Sequence, residues 1–302
     1  RNCYSLEEIY IPNVERMGDE VFKNCTGLKY VVYPSCYEVT NNIFEGCTSL
    51  EEVILPEGVT DIEPEAFLGS GIRKINFPES LKRVEWNAFM DCPRLESITI
   101  TQNLTHIGRS AFENCTGLQE IHFPEKTQYS IGMDAYAFAN CSSLKSVEFP
   151  ESVTGLNGAA FLNCDSLTRV VLPAHLKYTG DRCFAECDNL QEVVIYSSTA
   201  LTYSTAKYAF ENCVNLKKVY LWFNQTAFIP VGAFKNCNAL ETVYFLGSQE
   251  EWAAIEPNIR EENVPFQNAE VLFDGTILQG TLGNAAIAGE DVLWRVDRDY
   301  NL

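Results

Sequence analysis

The apolar residues of this chain return in one fixed order. In the stretch 111–124, Ala111 and Phe112 are followed by Cys115, Leu118, Ile121 and Phe123 with polar residues between them, and Pro124 closes the unit. The Phe-Cys-Leu triple recurs from Phe22-Cys25-Leu28 to Phe234-Cys237-Leu240, at spacings of 22 to 26 residues. Counting a partial copy at Cys3 and Leu6, there are eleven such units. Within a unit, Ile121 and Phe123, or Val53 and Leu55, alternate with polar neighbours, which predicts a short strand with one buried face. Pro follows at Pro12, Pro34, Pro56, Pro78, Pro124, Pro150 and Pro173; lacking an N–H, it ends the strand and turns the chain. A second apolar pair, such as Val59/Ile62, Leu81/Val84, Leu104/Ile107 or Val153/Leu156, precedes the next Phe. A unit this small cannot bury its apolar face alone, so stacked copies sharing one continuous core are expected. Parallel ladders on both sides of the coil would satisfy the backbone.

The regularity breaks in a few places. One copy, Phe67-Ser70-Ile72, is shortened; residues 125–136 and 196–206 lengthen their units and are expected to emerge as loops on one edge. Pro gives way to Thr101, Tyr196, Trp222 and Leu246. The repeat is expected over 1–246. From Gly247 it stops: Ser248 and Glu251 have the spacing of a capping box, so a short helix through Trp252, Ala253, Ala254 and Ile255 is predicted. Ala269, Val271 and Phe273 then alternate as a last strand, and 247–274 would cap the open end of the core. Residues 275–302 read as a tail, the start of a truncated further module. Arg1-Asn2-Cys3 enters in mid-repeat, which reads as a fragment of a longer polypeptide.

Length and composition sharpen this picture. At 302 residues the chain is long enough for two domains, but a fixed period favours one elongated body. A hydrophobic content of 46% excludes a disordered chain, and no run of about 18 apolar residues is present to insert in a membrane. Lys plus Arg total 22 against 41 Asp plus Glu, a net charge of −19 that repels nucleic acid phosphates and anionic headgroups. Ten of the twelve cysteines share one repeat position, Cys36 and Cys183 being the exceptions. Stacked in register, their Cβ vectors run parallel instead of converging, so a ladder of buried free thiols is expected rather than disulfides.

The signature Ile107-Gly108-Arg109-Ser110-Ala111-Phe112, followed by Cys115, Leu118, Ile121 and Pro124, resembles the BspA-type leucine-rich repeat of bacterial surface proteins. The period also falls within the range of about 20–29 residues expected of leucine-rich repeats. The resemblance covers residues 1 to about 246, and 247–273 is similar to the cap that ends such arrays. It implies a curved, right-handed leucine-rich repeat solenoid of about eleven repeats with a C-terminal cap. It also implies an exported protein, at the cell surface or secreted, that binds an extracellular protein or glycan as a monomer. No catalytic residue, cofactor or metal comes with it.

The residues agree with that last point. Only His106, His122 and His175 are present, none near Cys or carboxylate at metal-ligand spacing. No G-x-S-x-G, phosphate-binding glycine loop or H-E-x-x-H occurs. The triplets Asn24-Cys25-Thr26, Asn114-Cys115-Thr116 and Asn140-Cys141-Ser142 match a glycosylation sequon but read as turn residues of the repeat. The tail Asp297-Arg298-Asp299-Tyr300-Asn301 resembles the start of a calcium loop without its Gly and closing Glu. The binding candidates are outward-facing strand positions: Val171, Val194, Tyr220 and Tyr244, with Trp222 nearby, are expected to form an exposed apolar strip. Two other readings remain: a structural spacer with roughly 50 Å of reach from eleven coils at about 4.8 Å, or a non-catalytic part of a larger exported enzyme. If the Phe column is the core, Phe112→Ala should cost roughly 3–5 kcal/mol in denaturant unfolding.

Overall fold

The computed structural model describes residues 1–12, 14–124, 129–196, 206–222, 229–255, 259 and 262–273. It is a parallel β-solenoid. Among the described residues, one face carries twelve strands, in a sheet of four from Glu8–Tyr10 to Lys74–Ile75 and a sheet of eight from Ser97–Thr99 to Glu270–Phe273. A second ladder of seven strands, from Glu38–Val39 to Tyr178–Thr179, is built from the second apolar pair of the unit. The strand-face residues alternate as expected: in Glu52–Ile54 and Glu120–His122 the central residue is buried and its neighbours are exposed. The Phe rings stack along the core from Phe22 to Phe234, with centroids 4.7–5.8 Å apart.

The third side of the coil is the Ala-Phe-x-x-Cys segment, which is not strand yet is bonded coil to coil. Phe44, Phe67, Phe89, Phe112 and Phe138 each donate their N–H to the carbonyl of Ala66, Ala88, Ala111, Ala137 and Ala160 in the next coil, at 2.7–2.8 Å. Two residues of each turn hold a left-handed backbone, the one before the Ala-Phe pair and the one before Cys, with φ between +52° and +68°. The second of these is mostly Asn, as at Asn24, Asn114, Asn140, Asn163, Asn212 and Asn236, because a short polar side chain tolerates this conformation. So the Asn-Cys-Thr triplets are turn residues. Their amides also chain the coils together: Asn140 Nδ2 donates to Asn114 Oδ1 at 2.8 Å and Asn163 Nδ2 to Asn140 Oδ1 at 2.9 Å. Where the first position is Tyr136 or Arg182, whose bulk disfavours such a backbone, its N–H bonds to Gly158 or Lys207 of the next coil at 3.0 and 2.8 Å.

All twelve cysteines are free, and all are buried except Cys3, in the first coil. Their conservation of place within the chain has a hydrogen-bond reason. In most coils the Phe carbonyl already accepts the N–H of its own Cys, as from Cys115 to Phe112 at 3.2 Å. Its second lone pair takes the thiol of the next coil: Cys47 to Phe22, Cys92 to Phe67, Cys115 to Phe89 and Cys141 to Phe112, at 3.0–3.3 Å. A small apolar side chain with one weak donor suits this buried place. Burial raises these thiols above their ordinary pKa of 9.0, Cys92 and Cys187 to about 12.

The structure departs from expectation in three places. The strand ladder is not continuous: it breaks between Lys74–Ile75 and Ser97–Thr99, just after the shortened copy. On the near side of the break, the side chain of Asn76 reaches back to the preceding coil, accepting from the Leu55 N–H at 2.9 Å and donating to the Leu55 carbonyl at 2.8 Å. The lengthened unit 125–136 is not wholly a loop, because Ile131–Met133 joins the second ladder; residues 125–128 and 197–205 lie outside the described residues, as does the tail with its Asp297–Asn301 segment. After Gln249–Ile255, a second helix, Val264–Asn268, lies where only chain leading to a strand was expected.

That helix completes a surrogate coil. Ser248 N donates to Glu251 Oε2 at 2.7 Å and Glu251 N to Ser248 Oγ at 3.2 Å, closing the capping box of Gln249–Ile255. Phe266 stacks on Phe234 at 4.8 Å and extends the Phe column. Glu270–Phe273 pairs with Thr242–Phe245 and extends the strand face. Buried Asn263 accepts the Phe234 N–H on Oδ1 at 2.9 Å and donates to the Pro230 carbonyl at 2.7 Å, so a side chain supplies the acceptor that an Ala carbonyl supplies elsewhere.

This packing sets three measurable outcomes. Asn263→Ala should lower stability by about 1–3 kcal/mol, since it leaves the buried Phe234 N–H without its acceptor; wild-type unfolding midpoints in urea would sink the idea. A thiol reagent should react readily with one cysteine in the native protein and with twelve in denaturant. Folded thiols that keep their protons up to about 12 make the native state bind more protons than the unfolded chain above pH 9. Stability should therefore be intact below about pH 9 and fall as pH rises from there toward 12, read as a declining urea midpoint.

Candidate functional site

The outer face of the longer strand ladder holds its side chains at fixed spacing by backbone pairing. Register sets its rows. Val171 pairs with Val194, Val194 with Tyr220, Tyr220 with Tyr244 and Tyr244 with Leu272. Four of the five expected site residues thus stand in one line across neighbouring strands, and Leu272 extends it. Glu148 precedes Val171 in the same line, so the apolar row begins where the polar centre of the face ends.

The rings are ordered along the row. Tyr220 and Tyr244 stack with centroids 4.5 Å apart and planes 7° from parallel, and Tyr220 lies 6.3 Å from Trp222 at 10°. Trp222 is tied by its N–H to the Ile195 carbonyl at 2.9 Å. Its indole Nε1 is buried with no hydrogen-bond partner. The strip is less open than the alternation predicts: Val194 is 1% exposed and Tyr244 7%, while Val171, Tyr220 and Trp222 are half-buried. Ladder spacing of about 4.8 Å explains part of this, because Tyr220 lies directly against both Val194 and Tyr244 and shields them. The opposite end of the face is more exposed. There Tyr10, Val32 and Ile54 stand in register, with Tyr10 74% exposed.

Beside the apolar row runs a charged one. Glu192 sits between Arg169 and Lys218 at 3.8 and 3.6 Å, pairs that are half-exposed and contribute little to stability but fix the sign pattern along the face. Of the three histidines, His122 lies 3.2 Å from Glu120 and His175 2.6 Å from Glu151, both on the surface. Among the described residues, no group of three or more His, Cys, Asp or Glu is placed to hold a metal, and no helix is long and apolar enough to cross a membrane. The strand face can therefore offer stacked rings, an indole donor and alternating charge.

Comparison with known proteins agrees with this architecture. The BspA type leucine rich repeat region matches in six copies, over residues 37–135 and 118–241. A leucine-rich repeat protein from Bacteroides ovatus superposes with a TM-score of 0.65 at 25% sequence identity, over 80% of this chain and 67% of its own. The leucine rich repeat protein of T. pallidum does so with a TM-score of 0.50 at 24% identity, over 73% of this chain and 85% of its own. No curated protein matches the sequence.

Proposed function

We infer a binding role from one premise: the chain belongs to the BspA type leucine-rich repeat family. We propose a non-catalytic module of a cell-surface or secreted protein that binds an extracellular protein or glycan through its strand face. The site is the row of Val171, Val194, Tyr220 and Tyr244 with Trp222 beside it. One observation carries this reading: two stacked tyrosines stand in register on the strand face, beside a tryptophan whose indole N–H has no partner. Stacked rings offer a large rigid surface that loses little entropy on binding, which is why aromatics concentrate in interface cores. A ligand carbonyl or hydroxyl would satisfy the Trp222 donor. Residues 247–274 act as the cap and 275–302 as a separate tail in this reading.

The burial of Val194 and Tyr244 favours a second reading, in which the module is a spacer and the row is covered by another part of the protein. The two differ in a binding screen of the protein on arrays of matrix proteins, mucins and glycans. If the first is right, Tyr220→Ser/Tyr244→Ser weakens a specific hit by at least about tenfold, the effect of a modest interface hot spot, with the circular dichroism spectrum kept. Unchanged affinity in that variant removes the row as the site, and an array with no hit leaves the spacer reading.

A further inference from the structure

We propose that a cleft at the Pro-bearing end of the strands, beside Thr101, takes a cationic side chain, an arginine guanidinium or lysine ammonium, of a protein partner. It lies away from the aromatic row and stands whether or not that row binds.

The cleft comes from one interruption of a regular device. After several strands the chain turns with a hydrogen bond to the Pro carbonyl: Leu81 to Pro78 at 3.0 Å, Val153 to Pro150 at 3.0 Å and Leu176 to Pro173 at 3.1 Å. Thr101 holds the Pro place in the same turn, accepting from Leu104 at 3.2 Å. The Glu that follows Pro clamps the turn of the next coil. Glu57 accepts from the N–H groups of Glu79 and Ser80 at 3.1 and 3.2 Å, and Glu151 from those of Ala174 and His175 at 3.4 and 3.2 Å. Glu79 occupies the same place below the Thr101 coil, and its main chain is fixed because Asn103 Nδ2 donates to its carbonyl at 2.8 Å. Its carboxylate, unlike those of Glu57 and Glu151, takes no N–H of the turn at Thr101.

What results is a cleft of about 520 Å³ lined by Glu79, Thr99, Thr101, Gln102, Phe123 and Pro124 among others. Thr101 is only 6% exposed, and its hydroxyl has no hydrogen-bond partner. A buried hydroxyl left unpaired is costly, so a ligand group that reached it would gain twice, by bonding and by removing that cost.

The lining selects the ligand. A carboxylate, two hydroxyls and a side-chain amide oxygen are acceptors, and Phe123 with Pro124 gives an apolar wall. A guanidinium or ammonium would pair with Glu79, donate to Thr101 and Gln102, and lay its aliphatic stem on Phe123. An anion would meet the Glu79 charge in a chain of net charge −19. A neutral sugar could use the hydroxyls and the ring but would leave the carboxylate uncompensated. The same net charge steers a basic partner toward the surface.

The test is titration of the 15N-labelled protein with N-acetyl-Gly-Arg-Gly amide and with its citrulline counterpart, which keeps the shape and removes the charge. The arginine peptide should shift the amide signals of Thr101 and Gln102. The citrulline peptide should bind at least about tenfold more weakly. Glu79→Gln should cost at least about tenfold in affinity and Thr101→Val severalfold, with Tyr220→Ser/Tyr244→Ser binding like wild type. Absence of shifts at Thr101 and Gln102, equal binding of the two peptides, or wild-type affinity in Glu79→Gln would overturn the proposal. So would N-acetylglucosamine shifting those signals where the arginine peptide does not, which would make the cleft a sugar site.

Discussion

The structure depends on how one main-chain carbonyl, that of the core Phe, is satisfied. It lies in the dry centre of the stack, where an unpaired acceptor is expensive. At Phe112, as in most coils, one lone pair is met inside the coil by the Cys115 N–H, and the other by the Cys141 thiol of the coil that follows. The Phe N–H meanwhile reaches forward to the Ala carbonyl. Each coil is thus locked to the next in fixed register, and register in turn aligns the Phe rings and the rows of the strand face. The acceptor is the main chain of the residue before Phe, which is Ala in most coils and Ile43 or Cys183 in others.

The same constraint explains the chemistry that the column of cysteines does not perform. A thiol held against a carbonyl in a desolvated core keeps its proton, and the thiolate, the reactive form, is suppressed. Serine is the nearest substitute, and at Ser70 its hydroxyl indeed lies 3.4 Å from the Cys92 sulfur. The coil that carries Ser70 is also one residue short between this position and the following Ile72. The cost appears on the strand face, where the ladder breaks beyond Lys74–Ile75, while the Asn76 side chain ties that coil back to Leu55 of the coil before it. The break is local because the second ladder runs on across it, from Arg83–Val84 to His106–Ile107.

Both candidate surfaces arise where the repeat leaves its consensus. The aromatic row forms toward the C-terminal end, where Val171, Val194, Tyr220 and Tyr244 replace the polar outward residues of the middle coils. The cleft forms where Thr101 replaces Pro and the clamp made by Glu57 and Glu151 is not repeated at Glu79. A solenoid separates its two tasks in this way: inward positions answer to the neighbouring coil, and outward positions are free to vary.

The sequence by itself determined the period, the inward residues, the free thiols and the strand faces, because each of these is a local pattern repeated many times. The capping box at Ser248 and Glu251 was legible for the same reason, as a four-residue signal. Only the tertiary structure decided what depends on distances between coils. Asn263 lies 29 residues beyond Phe234, and no pattern marks its side chain as the acceptor for that N–H. The two left-handed turn positions were half legible: both donate an N–H to the next coil, but only the one before Cys is marked by Asn, whereas Tyr136, Ala159 and Arg182 at the other give no such signal. Alternation likewise places Val194 and Tyr244 outward but cannot show that they are nearly buried. Loss of Pro at Thr101 was visible, yet the cleft it opens required Glu79 and Phe123 from the coils on either side, whose separation in sequence hides their proximity.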